Sequence, residues 1–259
     1  MAGLGDVSFV PRRSEFGSGL SVATRTDHPV AACMASQYAG WPIAGEKFFA
    51  MGSGPMRTAR GREELFQHIG FQEQAEHAVG VLESGKLPSG DVCEHIAREC
   101  HVELEELTLL VAPTASIAGS VQVVARSVET AMHKLHELGL GLERVVHGTG
   151  SAPLPPVAAN DLQGIGRTND AILYGGEVTL WLRGDDDSLR DLGPQIPSNA
   201  SSDYGQPFGE LFERYGRDFY KIDPLLFSPA LVTLVNLDTG RQHQFGELRP
   251  DILALSLEL

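Results

Sequence analysis

Apolar residues recur every three or four positions through PTASIAGSVQVVARSVETAMHKLHEL, from Pro113 to Leu138. Ile117, Val121, Val124, Val128, Ala131, Leu135 and Leu138 form one stripe, and this spacing predicts a single long helix over 113–138. The opposite face is small and uncharged in its first half, with Ala115, Ala118, Gly119, Gln122 and Ala125. A solvated face is normally charged, so this one points to a second surface, a backbone or a ligand coming close. Arg126 and Glu129 stand where the small face ends, three residues apart, a spacing at which side chains meet on a helix. Gln122 lies on the same side one turn earlier. By itself such a pair is a surface ion pair worth about 0–1 kcal/mol. The uncharged approach weighs against that reading without reversing it.

The same patterning divides the rest of the chain. Residues 4–60 read as short strands joined by Gly and Pro turns, with 20–25 and 47–53 as strands and helix formers over 28–40. Residues 61–83 read as helical and acidic, and 88–102 as a helix opening near Ser89 or Asp91. LTLLVA (107–112) is a continuous apolar run and reads as a buried strand. Residues 143–150 form a strand entering a Gly turn. Residues 166–182 read as a loop followed by a strand, with a bend at Gly175-Gly176, and 185–209 as loop. A short helix over 208–216, a strand over 231–237, a turn at Asp238 to Arg241 and a returning strand close the pattern. Strands and helices mix without regular alternation. The expected class is α+β, with two α/β-layered domains enclosing a pocket, one over 1–105 and one over 106–259. The C-terminal strands are free to return to the first domain.

Composition narrows the chemistry. Hydrophobic residues make up 42% of the 259 and charged ones 21%, ordinary values for a globular protein. No apolar run reaches the length of a membrane span and no signal peptide opens the chain, so a cytoplasmic protein without a membrane partner is expected. The net charge of −14 argues against a nucleic-acid partner. Three cysteines without a CxxC motif read as reduced thiols. The nine histidines are scattered, and His133 and His136 lack a third ligand, so no metal is expected. GTGSAP does not complete a dinucleotide fingerprint, and no Walker A string is present.

Six strings carry more information together than alone. They are TDHPVAACMASQYAGW, FFAMGSGPMR, PTASIAGSVQVVARSVETAMHKLHELG, GTGSAPLPP, GRTNDAILYGG and FYKIDPLLFSPA. In this order they resemble the methenyltetrahydromethanopterin cyclohydrolases of one-carbon metabolism, over about residues 20 to 230. Chains of that family usually begin several tens of residues earlier, so this one is expected to be N-terminally short.

The resemblance implies a folate-like pterin substrate whose methenyl bridge is an amidinium, already cationic and electrophilic. It implies hydrolysis of that bridge to the 5-formyl compound, reversibly, with no cofactor beyond the pterin carrier. It implies Glu129 as the base that activates water and Arg126 as its partner. The physics agrees: a carboxylate buried alone keeps its proton, and an adjacent Arg keeps it ionised. A pterin edge needs acceptors and donors, which Asp27, Asn169 and Asp170 could supply, although turn and capping roles suit them equally. Ser116 and Gln122 share the side of Glu129 and could hold water or substrate. Lys221 and Arg57 could meet an acidic tail. Gly52, Gly54, Gly148 and Gly150 read as tight turns. The family forms homo-oligomers, commonly trimers. The alternative keeps the ligand and drops the reaction: an inactive pterin-binding short form or partner subunit.

Overall fold

In the computed structural model, which describes residues 3–71 and 73–258, the strands fall into two sheets. The larger has the order β1-β2-β7-β8-β9-β10, formed by β1 (Gly5–Pro11), β2 (Leu20–Thr26), β7 (Val145–Pro153), β8 (Glu177–Leu182), β9 (Leu231–Asn236) and β10 (Gln242–Gly246). The smaller runs β3-β4-β5-β6, from β3 (Trp41–Ala44), β4 (Phe49–Ser53), β5 (Ala78–Glu83) and β6 (Leu107–Ala112). The fold is α+β, as the mixed pattern predicts. The expected boundary at residue 105 falls just before β6, the last strand of the smaller sheet, and β1 and β2 lie in the larger one.

Strand alternation decides which face is buried. Along β8, Val178, Leu180 and Leu182 are buried, while Glu177, Thr179 and Trp181 between them are half-buried. The buried face packs on helix α5 (Ser127–Glu137) through Val128, Ala131, Met132 and Leu135. Ala32, Cys33 and Met34 join that core from a π-helix over Val30–Gln37. In the smaller sheet, Ile43, Ala50, Ala78 and Leu82 pack against Met56 of α1 (Met56–Arg60) and Ile96 of α3 (Gly90–Glu99).

Gly148 and Gly150 are strand residues, not turn residues. A Cβ on Gly148 would stand 2.7 Å from Val128 Cγ1, and one on Gly150 would stand 2.9 Å from Val128 Cγ2 and overlap Ser127 Oγ. Glycine here lets α5 settle directly on β7. Gly52 is likewise inside β4, whereas Gly54 does make a turn, at φ +93.

The structure corrects several expected elements. Within 61–83 only α2 (Glu64–Ile69) is helical among the described residues, and β5 comes next. GRTNDAIL is not a loop: it completes α6 (Asp161–Leu173), which the Asn160 side chain caps by accepting from Gln163 N at 3.0 Å. Its glycines, Gly164 and Gly166, lower helix propensity enough to hide it. Segment 185–209 contains α7 (Asp186–Leu192). Strand β6 is an edge strand with Leu110 exposed, so its apolar run is not buried on both faces. Helix α8 (Phe208–Arg214) and the β9–β10 hairpin lie where expected. The terminal α9 (Pro250–Leu257) has no counterpart in the sequence reading.

Candidate active site

The long helix expected over 113–138 is two helices. α4 (Ile117–Val124) ends at Ala125, and α5 begins after Arg126, which sits at φ −89 and ψ 10. Arg126 N bonds back to Val123 O at 3.0 Å, and Thr130 N bonds to Arg126 O at 2.8 Å, so the regular ladder is interrupted between them. Gln37, at the end of the π-helix, donates through Nε2 to Ala125 O at 2.9 Å. The break puts Glu129 in the first turn of α5, where the aligned peptide dipoles favour a negative charge.

Arg126 and Glu129 meet as their spacing predicts. Arg126 Nε lies 2.7 Å from Glu129 Oε2, and Glu129 is only 1% exposed. This is an enclosed pair, not a surface one. Burial works against the Arg126 charge, yet Glu129 and then Glu83 overcome it and raise the guanidinium's pKa.

Three further side chains border the pair. Glu83 ends β5; it accepts from Thr114 Oγ1 and, at 3.2 Å, from Gln122 Nε2. Gln122 is therefore drawn to the site through Glu83. Tyr38 comes directly after the π-helix, and its ring stacks on His133 at 4.9 Å between centroids. Burial, then the charge of Glu129, raises the Tyr38 phenol's pKa, against Arg126 and Arg57. The Cys33 thiol is pushed up by burial and again by Glu129. Sequence reading missed Glu83 and Tyr38. Glu83 sits at the carboxyl end of a strand parallel to β6, a usual ligand position, but the helical reading of 61–83 concealed it.

The other expected residues are placed differently. Ser116 caps α4: its Oγ accepts from Gly119 N at 2.9 Å and donates to Pro113 O at 2.7 Å. Asp27 is exposed and pairs with His147. Asn169 and Asp170 lie inside α6, not in a turn. Asn169 Nδ2 donates to Ile165 O at 2.8 Å. Asp170 is fully buried, accepting from Phe208 N at 2.8 Å and from Ser256 Oγ at 2.5 Å, which ties α6 to α8 and α9. Burial pushes its carboxyl up to about 7, despite Ser256 and Phe208. Lys221 is exposed, 3.7 Å from Asp218. Arg57 is wholly buried and engaged by protein groups, so it does not meet an acidic tail.

A model of the family described as cyclohydrolase (MCH) matches residues 1–257. The chain belongs to the cyclohydrolase (MCH) family. Among its similar members, the methenyltetrahydromethanopterin cyclohydrolase of Rhodopirellula baltica is 49% identical, covering 99% of this chain and 78% of that protein. The one from Methylobacillus flagellatus is 47% identical, over 98% and 77%. The one from Methylosinus trichosporium is 43% identical, over 99% of this chain and 98% of its own length.

Within this cyclohydrolase-family chain, a hollow of about 450 Å³ is lined by neither Arg126 nor Glu129. It occupies the large sheet and is lined by polar groups such as Arg25, Thr149, Ser151 and Glu177. None of the expected site residues lines it. Among the described residues no group of three or more His, Cys, Asp or Glu is arranged to hold a metal ion, and no helix is long and apolar enough to cross a membrane.

Proposed function

We propose that this chain is an enzyme that hydrolyses the methenyl bridge of 5,10-methenyltetrahydromethanopterin to the 5-formyl compound, reversibly. The observation that carries the reading is Glu129, buried in the first turn of α5 with Arg126 Nε at 2.7 Å. Family membership supplies the substrate class.

The bridge is a cationic amidinium, so its carbon already accepts a nucleophile. Glu129 takes one proton from the attacking water as the carbon–oxygen bond forms. The carbinol then collapses: the bond to the nitrogen remote from the pterin ring breaks, and the formyl group stays on the pterin-side nitrogen. Of the two water protons, one ends on the departing nitrogen and one in solvent. Arg126 holds the carboxylate ionised and oriented, and the carboxylate also opposes the substrate's charge. Gln122 and Glu83 border this site and fit the binding of polar substrate groups. The reading includes the pterin as a small-molecule substrate, no resident cofactor, a cytoplasmic setting and a homotrimer.

The test is loss of methenyl absorbance when purified protein meets the substrate, with Glu129→Gln alongside. Turnover by the parent, and a fall of about 10²–10⁴-fold in the variant, is expected. Binding without turnover by the parent would instead favour the inactive pterin-binding form.

A further inference from the structure

Among the described residues, Arg57 is the largest fully buried side chain that the proposed reaction does not use. A guanidinium cannot shed its charge, so a buried one must find partners for its donors. Here Nε donates to Glu63 Oε1 at 3.0 Å and Nη2 to Glu63 Oε2, a two-pronged ion pair. The remaining nitrogen, Nη1, donates to Met34 O at 2.9 Å and Ala35 O at 3.3 Å. Those carbonyls belong to the last turn of the π-helix, which like any helix end leaves its final acceptors free. Thr58 Oγ1 adds a bond to Ala35 O at 3.0 Å, and Gly54 N takes Ser36 O at 2.7 Å. Residues 54–58 thus close the end of the π-helix from one side.

The chain leaving that end forms the border of the candidate site. Gln37 reaches the helix break at Ala125, and Tyr38 stacks on His133 one turn beyond Glu129. The Arg57 guanidinium carbon also sits 5.0 Å from the centre of the Tyr38 ring. Space is tight where these groups converge. A Cβ on Gly40 would stand 2.9 Å from Arg57 Nη2 and 2.9 Å from Tyr38 Cε1, and would overlap Glu63.

We propose that Arg57, countered by Glu63, is a positioning residue that fixes Tyr38 beside the Arg126–Glu129 pair by capping the π-helix end. It acts through Tyr38 and not on substrate. The assignment of a catalytic effect rests on the cyclohydrolase reading above; the assignment of a mechanical one does not.

Two readouts separate these. The first is a double-mutant cycle of Arg57→Lys and Tyr38→Leu, with kcat and KM measured below the melting temperature of each variant. Lysine keeps the charge but cannot fork across Glu63 and two carbonyls. Arg57→Lys is expected to lower kcat about 10-fold or more with KM changed less than about 3-fold, since small misplacement of a site is costly. In the Tyr38→Leu background the same change should cost less than about 2-fold, because its route is already gone. Equal costs in both backgrounds would overturn the proposal. The second readout needs no turnover: fluorine NMR of protein carrying 3-fluorotyrosine, with the Tyr38 line assigned by its loss in Tyr38→Phe. Arg57→Lys should shift and broaden that line while leaving the other tyrosines in place. An unmoved Tyr38 line in a folded variant would overturn the proposal whether or not the parent is a cyclohydrolase. A moved line in a parent without turnover would overturn the reaction alone.

Discussion

Gln37 and Ala125, 88 positions apart in the chain, are joined by one hydrogen bond of 2.9 Å from side chain to main chain. The acceptor is the carbonyl at the break between α4 and α5. In an unbroken helix that carbonyl would bond within its own ladder. Its partner comes instead from the π-helix, so the kink that carries Arg126 is held from outside.

Gln37→Ala therefore leaves a half-buried carbonyl without its donor. Such a loss costs about 1–3 kcal/mol. Urea unfolding is expected to show a drop in that range, and kcat a fall of about 10-fold, because Arg126 and Glu129 flank the freed kink. Gln37→Glu, which cannot donate when ionised, should behave alike. An unchanged kcat in either variant would show that the kink holds itself.

Arg126→Ala strips the buried Glu129 of its cation. Removing one partner of an enclosed pair costs about 3–5 kcal/mol where the pair is fully buried, and less here because the Arg126 side chain is 17% exposed. Both kcat and affinity for the methenyl substrate are expected to fall, the former by about 10²-fold or more. Arg126→Lys should recover part of each. Full activity in Arg126→Ala, measured by the same absorbance assay, would remove the pair from the mechanism.

Asp170 provides a pH dependence of stability. Its carboxyl titrates near 7 in the fold, against 3.8 for an unperturbed Asp, because burial disfavours the charge. Between about pH 4 and 7 the folded protein holds a proton that the unfolded chain has released. This group's contribution to stability therefore falls as pH rises through that window, by about 1.4 kcal/mol per unit at most. Asp170→Asn can still accept from Phe208 N and donate toward Ser256, and it does not ionise. The variant should gain on the parent steadily from pH 5 to 7 in denaturant titrations. Parallel pH profiles would mean that Asp170 stays ionised.

Gly150→Ala tests the seating of α5. The added methyl meets Val128 Cγ2 at 2.9 Å and overlaps Ser127 Oγ, so the helix must lift from β7. Overpacking of this kind costs about 1–3 kcal/mol. Because Glu129 is in the lifted turn, kcat should fall more than stability alone would explain, readable as lost turnover well below the melting temperature. A variant that melts lower but turns over normally would place the strain elsewhere.

The site is half legible in the sequence. The i, i+3 spacing of Arg126 and Glu129 survives because both a continuous helix and a kinked one bring them together. The kink itself is hidden, since no Pro or Gly marks it and the side chain that bonds to it lies 88 residues away. Asn169 and Asp170 suggest pterin contacts only while their Gly-containing string reads as a loop; inside α6 they bond to the fold itself. Strands with clean flanking turns, such as β2, β4 and β9, are readable from local pattern. Glu83 is not, because its position depends on the parallel pairing of β5 with β6, which no local pattern encodes.

The order of strands in the larger sheet also sets a timetable. The smaller sheet draws all its strands from residues 41 to 112 and can assemble as soon as that stretch leaves the ribosome. Strand β2, made earlier, pairs Thr26 with Gly148 and Ser21 with Pro153, so one of its edges stays open until far more chain has been synthesised. Pairings that span such distances form late and slowly. During translation the β1–β2 hairpin must wait with Val22, buried in the finished fold against residues made much later, still uncovered, an interval in which unpaired edges invite wrong partners. Of the two sheets, the larger is the one that cannot be completed until β7 to β10 have followed the whole of the smaller sheet out.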